Sequence, residues 1–82
     1  MAPDPTAFIV VPVEATMTVL WRAMRVIRSS LAISRVHWHP DERFRDGCHF
    51  RVEIPVAQLS NPLGTKAEVQ LILQAEGATL TH

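Results

Sequence analysis

The sequence predicts an α+β domain of order β-α-β-β-α-β, with a four-stranded antiparallel sheet carrying both helices on one face. Three observations carry this prediction. The β-branched apolar run Phe8-Ile9-Val10-Val11-Pro12-Val13 reads as a strand covered on both sides. Met17, Leu20, Met24 and Ile27 recur at spacings of three and four, the period of a helix with one apolar face. Two stretches that alternate with period two, Ala32 to His39 and the run through Phe50, Val52 and Ile54, flank a polar connection ending in Asp46-Gly47. That pair suits the positive φ of a tight turn, so the two stretches read as a hairpin.

Taken in order, residues 1–7 contain Pro3 and Pro5, whose fixed φ and missing N–H groups suit a disordered lead-in, and residues 8–82 are expected to form one domain. Pro12 removes a ladder donor and is placed at the end of strand one. The first helix is expected from about Ala15 to Ser29, with Glu14 near its start and Arg25 and Arg28 near its end, the signs the helix macrodipole favours. On strand two, Ser34, Val36 and Trp38 share one face and Arg35, His37 and His39 the other. On strand three, Phe50, Val52 and Ile54 oppose His49, Arg51 and Glu53.

The stretch Ser60-Asn61-Pro62-Leu63-Gly64 is a loop by composition, and Thr65-Lys66-Ala67-Glu68 matches a capping box that would start the second helix. Val69, Leu71, Leu73 and Ala75 also alternate as a strand would, but the strong helix formers and Gly77 at a C′ position favour a helix. Ala78 to Thr81 supplies a short last strand. With right-handed crossovers this order is ferredoxin-like. It leaves one sheet face open, carrying His49, Arg51 and Glu53, and calls for cover over strand one from another copy of the domain.

Eight Lys+Arg balance eight Asp+Glu, so there is no positive excess to drive generic binding to nucleic acid or an anionic membrane. The single cysteine, Cys48, forms no internal disulfide, there is no recognisable signal sequence, and no apolar stretch approaches the roughly 20 residues needed to span a bilayer. A cytoplasmic location is expected. At 82 residues the chain buries only about 60–65% of its unfolded surface, which makes self-association a reasonable expectation.

The segment Leu20-Trp21-Arg22-Ala23-Met24-Arg25-Val26-Ile27-Arg28 resembles the Leu-x-Arg-x-Leu-Arg-Val-Val-Arg helix of an ACT domain, specifically the small regulatory subunit of acetohydroxyacid (acetolactate) synthase. The likeness continues through Leu31-Ala32-Ile33-Ser34-Arg35-Val36 and Phe50-Arg51-Val52-Glu53-Ile54, at the family's second and third strands. The resemblance implies a non-catalytic subunit without a cofactor of its own. Such a subunit forms a homodimer and docks on the large catalytic subunit of acetolactate synthase in branched-chain amino-acid biosynthesis. It places partner docking at Trp21, Arg22 and Arg25, and a possible amino-acid effector at the first loop, Glu14, Ala15 and Thr16. That loop lacks the family's Asp-x-Pro-Gly-like turn, and Arg28-Ser29-Ser30-Leu31 lacks the usual Gly before strand two.

Other chemistry competes with this reading. His37-x-His39 puts two imidazoles on one strand face and Cys48-His49 lies across the hairpin, donors that could bind zinc, although the spacing matches no tight zinc motif and a bland polar face is the expected outcome. The same element order occurs in RNA-recognition domains, but Phe50 faces the core, and His49 and Arg51 are weak substitutes for stacking aromatics. A free-standing module for RNA or a metal ion is thus the alternative. Local spacing holds no base against Cys48, the Ser and Thr residues form no nucleophile motif, and nothing in the sequence pairs Glu14 with Glu53, so catalysis by the isolated chain is not expected.

Overall fold

A computed structural model describes residues 7–82; the expected lead-in falls, for residues 1–6, outside the described residues. The elements are β1 (Phe8–Glu14), α1 (Met17–Leu31), β2 (His37–Pro40), β3 (His49–Pro55), a short 3-10 turn (Val56–Gln58), α2 (Pro62–Ala75) and β4 (Thr79–Leu80). They form one antiparallel sheet of order β2-β3-β1-β4 with two helices, the ferredoxin-like α+β arrangement the sequence predicts.

β1 is central, and its ladder explains how it tolerates Pro12. The Val56 N–H donates to the Ala7 carbonyl (3.0 Å) and the Ala15 N–H to the Cys48 carbonyl (2.8 Å), so odd-numbered residues of β1 point their backbone at β3. Even-numbered residues point toward β4. Pro12 therefore sits inside the strand, not at its end, but its missing N–H faces β4, where its carbonyl accepts from the Thr81 N–H (3.0 Å) and the pairing then stops. Beyond that point the outward backbone of Val10 has no ladder partner among the described residues.

α1 starts one or two residues later than expected because Thr16 acts as its N-cap, the hydroxyl accepting from the Val19 N–H (3.2 Å). Its buried stripe is Leu20, Ala23, Met24 and Ile27; Met17, expected in that stripe, is 40% exposed. The helix runs past Ser29 to Leu31 and ends at Ala32, which takes the left-handed conformation (φ 52°) usually given to glycine. Arg28 Nε and Nη2 both donate to the Val36 carbonyl (3.1 and 2.8 Å), drawing residues 32–36 over the helix end. As a result β2 begins only at His37, five residues later than the alternation indicated.

α2 also departs in its cap. Asn61, not Thr65, caps it, accepting from the Gly64 N–H (3.1 Å), with Pro62 in the first turn. Thr65 and Glu68 lie inside the helix. Its far end is a Schellman turn: the Gly77 N–H donates to the Gln74 carbonyl and the Ala78 N–H to the Leu73 carbonyl, with Gly77 at φ 106°. Val69 and Leu73 are buried while Leu71 is 65% exposed, so helical periodicity prevails over the strand-like alternation. The helices and the inner sheet face share one apolar cluster that includes Leu20, Met24, Ile27, Val52, Ile54 and Leu73.

Candidate functional site on the open sheet face

β-strand alternation puts Phe8, Val10, Pro12 and Glu14 of β1 on the face away from the helices, opposite Pro55, Glu53, Arg51 and His49 of β3 in register. β2 adds His37 beside Glu53 and His39 beside Arg51. Two clusters of titratable groups result, on either side of Arg51.

The first is built on Glu53. Its Oε1 lies 2.9 Å from His37 Nε2 and its Oε2 2.9 Å from His39 Nε2, so one carboxylate bridges two imidazoles. The Nδ1 atoms of His37 and His39 face the Arg35 and Pro40 carbonyls (3.3 and 3.2 Å). Hydrogen bonding to Glu53 raises the His39 pKa above its ordinary 6.5 despite opposing burial. Burial pushes Glu53 up, but the hydrogen bonds from His39 and His37 outweigh it and hold the carboxyl below its ordinary 4.5. Each imidazole nitrogen of the pair thus has an oxygen within 3.3 Å. Phe8 packs edge-on against His37 (centroids 5.5 Å apart) and closes one side.

The second cluster gathers Glu14 from the end of β1 with Cys48, just before β3, and His49, the first residue of β3. His49 Nε2 is 3.7 Å from Glu14 Oε2, and Nδ1 contacts Asp46 Oδ2 at 2.5 Å. The ring stacks on Phe44 (3.8 Å between centroids, 11° between planes). Cys48 Sγ lies 4.0 Å from Glu14 Oε2 and 3.9 Å from His49 Nδ1, both at the outer limit for sulfur. Burial, then the Asp46 carboxylate, push the Cys48 thiol above its usual range. The Cys48 N–H, donating to Asp46 Oδ1 (3.0 Å), lowers the Asp46 pKa, with His49 adding to it.

The zinc grouping considered from sequence is therefore redistributed: His37 and His39 converge on Glu53, and Cys48 and His49 converge on Glu14. Sequence reasoning missed Glu53 as a bridge and Asp46 as the partner of His49. The second was within reach as an i, i+3 spacing across a turn; the first needs the strand register, which the sequence does not state. Nearby, Asp41 is buried and its carboxyl is held at about 2 by hydrogen bonds from the Arg43 guanidinium.

The residues assigned to an effector are each engaged by a different partner. Glu14 belongs to the Cys48–His49 cluster, the Ala15 N–H is taken by the Cys48 carbonyl, and the Thr16 hydroxyl is taken as the α1 cap. The residues assigned to docking do share a surface. Trp21 is 58% exposed on α1, and Arg22 and Arg25 line an open groove with Val26, Ser29, Ser30 and Glu76, where Arg22 Nη2 reaches the Glu76 carbonyl (3.5 Å). Among the described residues no helix is long and apolar enough to cross a membrane. Compared with protein-family models, curated proteins and solved structures, the chain finds no match in any of the three.

Proposed function

We propose that this chain is a non-catalytic regulatory subunit that pairs with itself and docks on the large catalytic subunit of an acetolactate synthase. The observation that carries the reading is the outer surface of α1. There Trp21 stands exposed on the very helix whose residues resemble the ACT family, with Arg22 and Arg25 beside it and Met17 one turn away. Exposed Trp and Arg together are the residue types that dominate binding energy at protein interfaces. The ferredoxin-like order agrees with the same family. For self-pairing, the outward backbone of Val10 offers a place where a strand of a second copy can continue the sheet.

Docking would act by linkage. A subunit that binds the competent state of its partner more tightly than other states raises the population of that state, and an amino acid that alters the docking-competent form changes the bias in turn. The carboxylates Glu14 and Glu53 on the open face would repel phosphates, which weighs against the RNA-binding alternative.

The test is coexpression with the large acetolactate synthase subunit from the same cell, read by co-elution and by the rate of acetolactate formation from pyruvate with and without valine, leucine or isoleucine. The expected result is a stable complex, a higher rate, and weaker complexes for Trp21→Ala and Arg25→Ala. No co-elution together with an unchanged rate overturns the reading.

A further inference from the structure

We infer that Glu14, Cys48 and His49 form a zinc(II) site at the end of the open sheet face. The inference stands apart from the docking proposal and rests on how β1 and β3 close against each other. Their register sets Glu14 directly opposite His49, and the Ala15 N–H bonded to the Cys48 carbonyl locks that junction. One ligand atom from each of the three side chains lies within 4.8 Å of the other two.

Zinc bonds of roughly 2.3 Å to sulfur and about 2.0–2.2 Å to nitrogen or oxygen, at tetrahedral angles, put neighbouring ligand atoms roughly 3.3–3.7 Å apart. Glu14 Oε2 lies 3.7 Å from His49 Nε2 and 4.0 Å from Cys48 Sγ, and the sulfur comes within 4.8 Å of the ring's ligand nitrogen. Glu14, whose side chain is 50% exposed, has to move by a few tenths of an ångström, and the Cys48 sulfur has to turn toward the imidazole by up to about 1.5 Å, within the reach of a side-chain rotation.

His49 is already held as a ligand must be. Its side chain is mostly buried, its ring is stacked on Phe44, and Asp46 occupies Nδ1, which leaves Nε2 facing Glu14. A carboxylate on the second imidazole nitrogen is the arrangement that fixes ring orientation and raises basicity in metal-bound histidines. Cys48 Sγ makes long contacts to Glu14 and His49 and also faces the Asp46 carboxylate, which can keep its bond to His49 when the thiol ionises to bind a cation. The two carboxylates beside it, which disfavour a thiolate alone, favour a dication and a thiolate together. Thiolate, imidazole and carboxylate suit zinc, whereas calcium and magnesium call for six or more oxygens. The Glu53 cluster lacks this character, because each of its carboxylate oxygens is paired with a different imidazole.

The experiment uses tag-free, full-length protein and two probes. Zinc chloride is titrated in competition with a chromophoric chelator, and cobalt(II) is added alone to look for the near-ultraviolet thiolate-to-cobalt charge-transfer band. Expected are one equivalent of zinc, the cobalt band, loss of that band in Cys48→Ser, and at least tenfold weaker zinc binding in Cys48→Ser and Glu14→Gln. Asp46→Asn should weaken binding by about 10–100-fold. The double variant His37→Ala/His39→Ala should bind as wild type does. Far-ultraviolet circular dichroism checks that each variant is folded; Cys48 and Glu14 lie outside the apolar core, so folding should survive. Absence of stoichiometric zinc binding, retention of the cobalt band in Cys48→Ser, or loss of binding in the His37/His39 variant overturns the inference.

Discussion

β3 carries two chemistries on one strand. Phe50, Val52 and Ile54 point toward the helices and are 3%, 0% and 0% exposed, while His49, Arg51 and Glu53 point the other way and remain half-buried. Each fully buried apolar side chain of this size contributes about 1.5–3 kcal/mol relative to an exposed one. A partly solvated ion pair contributes about 0–1 kcal/mol. Stability is therefore concentrated on the helix-covered face, and substitutions on the open face put the fold at little risk.

Substitutions that carry charge or polarity across this divide test it. The largest effect is expected for Met24→Asp, which buries a carboxylate where Met24 is 1% exposed: a loss of about 3–5 kcal/mol, and with it cooperative unfolding in urea. Equal thermal stability for Met24→Asp and wild type would show that α1 does not bury this face. Next comes Val52→Thr, which keeps shape but places a hydroxyl among apolar neighbours, at about 1–3 kcal/mol by denaturant titration.

Glu53→Gln, on the open face, should cost under about 1 kcal/mol, and its cost should vary with pH. His39 titrates higher when folded, so its contribution is complete below 6.5 and fades as the pH rises through the raised folded value. Glu53 titrates lower when folded, so its contribution is complete above 4.5 and fades on acidification. The gap between wild type and Glu53→Gln should thus be widest between pH 4.5 and 6.5. A gap that grows steadily into the alkaline range would contradict the bridge. The smallest effect on folding is expected for Arg25→Ala, within about 0.5 kcal/mol, with the loss appearing instead in complex formation.

The inward residues of β3 and the buried stripe of α1 were legible because periods of 2 and 3.6 are local properties of the chain. Other features were misjudged. Met17 follows the helical period but is the first residue of α1, next to the Thr16 cap, and is 40% exposed. The alternation from Ala32 to Val36 looks like a strand, yet Arg28 ties the Val36 carbonyl to the helix end and keeps these residues out of the ladder. Thr65 and Glu68 make a plausible cap, but Asn61-Pro62 starts the helix four residues sooner. In the last two cases a plausible local pattern yielded to a stronger contact nearby.

The candidate site was legible only in its residue types. His37, His39, Cys48 and His49 stood out as possible ligands, but their grouping did not, because Glu53 and Glu14 reach them through strand pairing between distant segments. Element order, the polarity of each face and the absence of net charge were determined by the sequence alone, since they depend on neighbours a few residues away. Which carboxylate meets which imidazole, and whether a proline can sit inside a central strand, were decided only by tertiary structure. Register and the direction of each backbone N–H arise when separate strands lie side by side.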